Sequence, residues 1–154
     1  MATKSQPQLT LQGAHIALAA AQSHAKIIGV PMNIAIVDAS TNLIAFERMD
    51  GAKITSISIA MDKAFTAAGH RVGTHTYKDA VWPGGPAYGI GNSNGGRFTT
   101  FGGGLPVKDA EGRVVGGIGA STGTPAQDQE VVQAGVDALE KVLRGEGKEG
   151  KSKL

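Results

Sequence analysis

Two apolar segments of this chain each fold back over a short polar turn, and this limits the fold more than anything else in the sequence. Met32, Ile34 and Ile36 alternate with Asn33 and Ala35 and run into Val37-Asp38. The turn Ala39-Ser40-Thr41-Asn42 then leads into Leu43-Ile44-Ala45-Phe46. Alternation with period two, bounded by turn residues, predicts a β-hairpin. The second case lies further on. Residues 98–108 have strand character interrupted by Gly102-Gly103-Gly104, Asp109-Ala110-Glu111-Gly112 is a turn, and Val114 to Ala120 is the returning strand. Hairpins join antiparallel neighbours, whereas parallel strands need long crossovers. A parallel βαβ sheet is therefore disfavoured.

Three helices surround these hairpins. Over residues 10–29, Leu11, Ala14, Leu18, Ala21, Ala25 and Ile28 recur at helical spacing, with Thr10 as N-cap and Gly29 and Pro31 as the stop. A second helix is predicted over 56–70, with Thr55 or Ser56 as its cap, Ile57, Ile59, Ala60, Ala64, Phe65 and Ala68 on its apolar face, and Gly69 at its end. The third runs over 125–144, capped by Thr124, with Pro125 as its first residue and Val131, Val132, Val136, Leu139, Val142 and Leu143 on its apolar side. Between the second helix and the second hairpin, Thr74 to Val81 suits a helical turn, and Pro83-Gly84-Gly85-Pro86 excludes regular structure. This order predicts an α+β fold, an antiparallel sheet of about five strands with helices on its faces. One domain over 9–144 is expected, with a flexible N-terminus at 1–8 and a disordered basic tail at 145–154.

The composition narrows function mainly by exclusion. A chain of 154 residues suits one domain, and 41% hydrophobic residues against 18% charged can bury a core. Aromatics make up only 5%, so aliphatic residues and alanine must fill it. A formal charge of +2 is too small for a dedicated nucleic-acid binder. The lack of cysteine removes disulfides, thiolate metal sites and a cysteine nucleophile. No long apolar run suggests a membrane span, and Met1 to Gln8 do not read as a signal peptide. The chain ends Ser152-Lys153-Leu154, a peroxisomal address read by the import receptor in a eukaryotic host; otherwise a cytoplasmic protein is expected.

Glycine is the outlying residue. It occurs 23 times, and fourteen of these fall within residues 84–123. Gly84 and Gly89 have phosphate-loop spacing, but no Lys-Ser/Thr follows, and the other glycine groups do not precede a helix as a nucleotide loop requires. Ser121 in Gly119-Ala120-Ser121-Thr122-Gly123 imitates a nucleophile elbow, but that elbow needs a larger α/β sheet; a capping turn formed by Ser121 and Thr122 is favoured. The histidines His15, His24, His70 and His75 show no zinc spacing, so no metal site is predicted from spacing, although one imidazole suffices for haem iron. Arg48 and Lys63 offer a cationic spot for a carboxylate or propionate, and an Arg48–Asp62 or Asp50–Lys63 ion pair is the competing structural explanation. Glycine also lets backbone amides approach a ligand closely, so Gly102, Gly103 and Gly104 are candidate donors.

Four blocks together point to a family. These are I-A-I-V-D-A-S-T-N-L-I-A-F-E-R-M-D-G-A, I-A-M-D-K-A-F-T-A-A, F-G-G-G-L-P-V and V-V-G-G-I-G-A-S-T-G-T-P-A-Q-D-Q-E-V. In this order, across residues 9–143, the chain resembles the GlcG/HbpS family and is similar to the C-terminal domain of PduO-type proteins. The resemblance implies a profilin-like α/β sandwich, homo-oligomers from dimer to octamer, and haem or tetrapyrrole binding in some members. It also implies that Asp38, Arg48, Met49, Asp50 and Lys63 belong to the family's polar blocks, that Gly103, Gly104 and Pro106 match its central glycine motif, that Gly117, Gly119, Ser121, Gly123 and Asp128 match its last block, and that a first-helix histidine, His15 or His24, ligates haem. His70 is a further ligand candidate from this sequence. The stretch from His70 to Ile90 departs from the family pattern and carries Trp82, Tyr77 and Tyr88, the chain's only Trp and both its Tyr.

Two functions are thus expected of the sequence. One is a haem- or tetrapyrrole-binding protein with a redox or accessory metabolic role, in which Arg48 or Lys63 pairs a propionate. The alternative is a cofactor-free isomerase, lyase or hydrolase acting on a small carboxylate or carbonyl compound. There Trp82, Tyr88, Arg48, Ser121 and the Gly102–Gly104 amides would bind substrate, and Asp50, Lys63 or His75 would move a proton.

Overall fold

The computed structural model describes residues 1–146. Three helices, α1 (Leu11–Ile28), α2 (Ser56–His70) and α3 (Pro125–Leu143), enclose four strands, β1 (Asn33–Asp38), β2 (Leu43–Arg48), β3 (Gly104–Lys108) and β4 (Val114–Ser121). The strands form one antiparallel sheet in the order β2-β1-β4-β3. The α+β class and both hairpins are as the sequence predicts. The sheet has four strands among the described residues, not five. Strand β3 begins only at Gly104, because the chain before it turns at Gly103 with φ +116 and gives its backbone donors to side chains.

Helices α1 and α3 cover one face of the sheet and α2 the other. On the first face, Ala14, Ala17, Ala21 and Ala25 of α1 and Val131, Val132, Val136 and Leu139 of α3 meet Ile34, Ile36, Ile118 and Ala120. On the second, Ala60, Ala64 and Ala68 meet Ala35 and Val37. Alternate residues of a strand point to opposite faces, so Ile34 and Ile36 serve one layer while Ala35 and Val37 serve the other.

The glycine excess has its main cause here. A Cβ at Gly119 would sit 2.5 Å from the Ala64 nitrogen and closer still to the Ala60 carbonyl oxygen. A Cβ at Gly117 would lie 2.8 Å from the Ala64 carbonyl oxygen. The backbone of α2 therefore rests directly on β4, an approach only glycine permits.

The helix ends follow from their caps. Thr10 accepts from the Gly13 N–H at 3.1 Å, and Gly29 closes α1 in the left-handed conformation with φ 69. Thr124 and Gln127 form a reciprocal capping box on α3. The expected cap of α2 differs. Thr55 precedes it with helical dihedrals and no side-chain capping bond, and the helix runs past Gly69 to His70 before Arg71 turns left-handed at φ 60. Residues 1–8 contain no helix or strand, and Gln8 bonds Ser40 and the Ala39 N–H. The basic tail expected at 145–154, with its Ser152-Lys153-Leu154 end, lies almost wholly outside the described residues. Among the described residues no helix is long and apolar enough to cross a membrane.

Candidate functional site

The charged residues of the second block form an arrangement that neighbour-to-neighbour reasoning misses. Lys63, on the sheet-facing side of α2, is fully buried. Its ammonium donates to Asp128 Oδ2 at 2.7 Å and to the Ala120 carbonyl at 3.0 Å, and it lies 4.7 Å from the Phe101 ring centroid. The other Asp128 oxygen accepts from the Gly123 N–H at 3.0 Å. The pair thus ties α2 to α3 around the end of β3 and β4. Gly103 makes room for it, since a Cβ there would come 2.7 Å from both Lys63 Nζ and Asp128 Cβ. Burial pushes the Lys63 ammonium below its ordinary range, opposed by the hydrogen bond and charge of Asp128. Burial likewise pushes Asp128 up, opposed by Lys63 and the Gly123 N–H.

This geometry corrects the expected ion pairs. Lys63 pairs with Asp128, not Asp50, and Asp62 pairs with Arg97 at 3.0 Å, not Arg48. Lys63 faces no cleft, so it has no surface on which to meet a propionate or a substrate. Among the described residues no hydrogen bond or ion pair joins Asp50, Lys63 and His75. The Gly103 N–H donates to Gln129 and the Gly104 N–H to Thr74, each at 3.0 Å, so these two amides are already occupied. Gly102 is buried beside His75, Pro125 and Gln129. Ser121 is buried as the last residue of β4, and Thr124, not Ser121, caps α3. Thr122 Oγ1 instead accepts from the Lys53 N–H and the Asn33 amide.

The aromatic segment divides. Tyr77 packs tilted against His70 and edge-on to Phe98, its buried hydroxyl has no partner, and burial pushes its pKa up. Trp82 and Tyr88 stand 62% and 67% exposed on the surface. Arg48 and Asp50 are exposed at the end of β2 and in the turn beyond it.

Two clefts remain as candidate sites. One is a groove of about 460 Å³ between α1 and α3, walled by His24, Gln129, Glu130, Gln133 and Asp137. Of the four histidines, His24 is the one that lines it, with Nε2 3.5 Å from Glu130 Oε2. His15 is exposed on α1, and His70 and His75 lie at and beyond the end of α2. The other cleft is larger and cationic, and lies where α2, β3 and the N-terminal segment meet.

Comparison with known proteins now decides the family. A family model described as haem degrading protein HbpS-like matches residues 9–137. The chain belongs to the HbpS-like family. A 15.0 kDa protein of the dhaT-dhaS intergenic region of Citrobacter freundii is 40% identical over 131 residues, 85% of this chain and 92% of that protein. The corrinoid adenosyltransferase PduO of the same organism is 35% identical over 85% of this chain, which spans only 39% of PduO.

Among solved structures, Klebsiella pneumoniae ORFY has a TM-score of 0.86 at 38% identity, covering 90% of this chain and 96% of that one. A PduOC–haem complex has a TM-score of 0.81 at 34% identity, covering 85% and 94%. These relatives are bacterial and lend no support to the peroxisomal reading.

Proposed function

We propose that this HbpS-like protein binds haem or a related tetrapyrrole in the α1–α3 groove, with His24 as the imidazole that approaches the iron. The observation that carries the proposal is His24 on a groove wall in a chain 34% identical to a domain crystallised with haem. The donor set fits the iron side of such a ligand. One half-buried imidazole and the carboxylates of Glu130 and Asp137 face the groove, and these are groups that favour a ferric centre. No cation lines it, so propionates would point outward, away from Glu130 and Asp137. Bound haem would supply a redox-active iron, in keeping with a redox or accessory metabolic role. The chain's own part is to orient the ring of His24 through Glu130, whose Oε2 lies 3.5 Å from Nε2.

Self-association into a homo-oligomer belongs to the same proposal. Ile54, Trp82 and Tyr88, at 71%, 62% and 67% exposure, give the chain apolar surface for it.

Hemin titrations of His15→Ala, His24→Ala, His70→Ala and His75→Ala test the assignment. Loss of the saturable Soret shift in His24→Ala alone is the expected result. An unchanged titration in His24→Ala would refute it.

A further inference from the structure

The larger cleft, of about 670 Å³, lies on the opposite side of the molecule's chemistry from the histidine groove: its walls are basic. Lys4, Arg71, Lys108 and Arg113 all line it, and they come from three segments of the chain: the N-terminus, the end of α2 and the β3–β4 hairpin. Arg113 is compensated by Asp109 at 2.8 Å and Glu111 at 3.3 Å. Lys4, Arg71 and Lys108 have no carboxylate partner among the described residues. Three uncompensated cations thus converge on one cleft in a chain whose formal charge is +2 in total.

The cleft is also built. Its N-terminal wall, residues 4–7, is fastened at its base. Gln8 donates to Ser40 at 2.9 Å and accepts from the Ala39 N–H at 2.7 Å, and the Leu9 N–H donates to the Val115 carbonyl at 2.9 Å. On the opposite wall Arg71 holds a left-handed conformation, φ 60 and ψ 31, at the position after α2 where glycine is the ordinary choice. A helix C-terminus favours one nearby cation. That accounts for Arg71 being basic, but not for Lys4 and Lys108 on other elements facing the same space.

We propose that this cleft binds a polyanionic small molecule, one presenting at least two clustered negative charges on phosphate or carboxylate oxygens. Converging lysines and a guanidinium fork suit such oxygens. No aromatic side chain lines the cleft to stack on a ring, so recognition rests on charge. The site is separate from the haem proposal and does not depend on it.

Isothermal titration of the full chain with tripolyphosphate and with citrate, at low salt, tests this. Saturable binding of either supports the proposal, and the tighter of the two names the oxygen chemistry. Lys108→Ala and Arg71→Gly should each weaken binding about tenfold, while Lys26→Ala, on α1, should not. Arg71→Gly also relieves the left-handed backbone, so its melting temperature should hold or rise, which separates lost binding from lost folding. No saturable heat with either anion, or wild-type affinity in both cleft variants, would overturn the proposal.

Discussion

Lys63→Met probes the feature that most sets this domain apart from a plain aliphatic sandwich. Methionine roughly fills the lysine's space but removes both hydrogen bonds of the ammonium, at 2.7 Å to Asp128 and 3.0 Å to the Ala120 carbonyl. Asp128, with a side chain only 3% exposed, is left without its counter-ion. Breaking one side of a buried pair costs about 3–5 kcal/mol. Asp128 keeps the Gly123 N–H on its other oxygen, which puts the expected loss near the lower end, about 3 kcal/mol at neutral pH.

The loss should also depend on pH, with a definite sign. Burial already raises Asp128 above 3.8, and removing Lys63 removes the strongest opposition to that rise. A folded carboxyl with a raised pKa holds a proton that the unfolded chain releases, so stability falls as pH climbs from about 4 through the folded value. Urea unfolding of wild type and Lys63→Met should therefore show a small deficit near pH 4 that widens toward neutrality. Lys63→Met with Asp128→Asn should recover much of the neutral-pH loss, because asparagine carries no charge and still accepts from Gly123. A Lys63→Met deficit below about 1 kcal/mol at neutral pH, or one constant across this range, would mean that the buried pair does not hold α2 to α3 in this way.

Other substitutions probe the α2–β4 contact, the α3 cap and the Tyr77 pocket. Gly119→Ala forces the α2 backbone to retreat by roughly an ångström from atoms that cannot rotate away, and urea unfolding should show a loss of about 3 kcal/mol. Thr124→Ala breaks the capping box of α3 and should cost about 1 kcal/mol in the same assay. Tyr77 should ionise above 10 in an absorbance titration of the folded protein, because its hydroxyl is buried; a midpoint at or below 10 would contradict that placement.

The helices and hairpins were legible in the sequence because their signals are local. Thr10, Gly29 and Thr124 mark helix ends through bonds made within a few residues, and the turns at Ala39–Asn42 and Asp109–Gly112 do the same for the hairpins. The Lys63–Asp128 pair spans 65 positions, so no local pattern contains it. A subtler signal was present all the same. Lys63 falls in the stripe Ala60, Ala64, Ala67, and Asp128 in the stripe Val131, Val132, Gly135. A charged residue at helical spacing among small apolar ones marks a buried charge in need of a distant partner.

What the amides of Gly103 and Gly104 bond was not legible in the sequence for a related reason. Glycine content reveals where backbones come close, but not whether the neighbour is a ligand or the protein itself, and here Thr74 and Gln129 take those amides. The basic cleft could not be read at all, since Lys4, Arg71 and Lys108 come together only through the tertiary fold.

The proposed haem function meets its most direct test in a Soret-region titration of the full chain with hemin. A haem-binding chain will give a shifted band that saturates at one equivalent per chain. A linear, featureless rise that never saturates would contradict it.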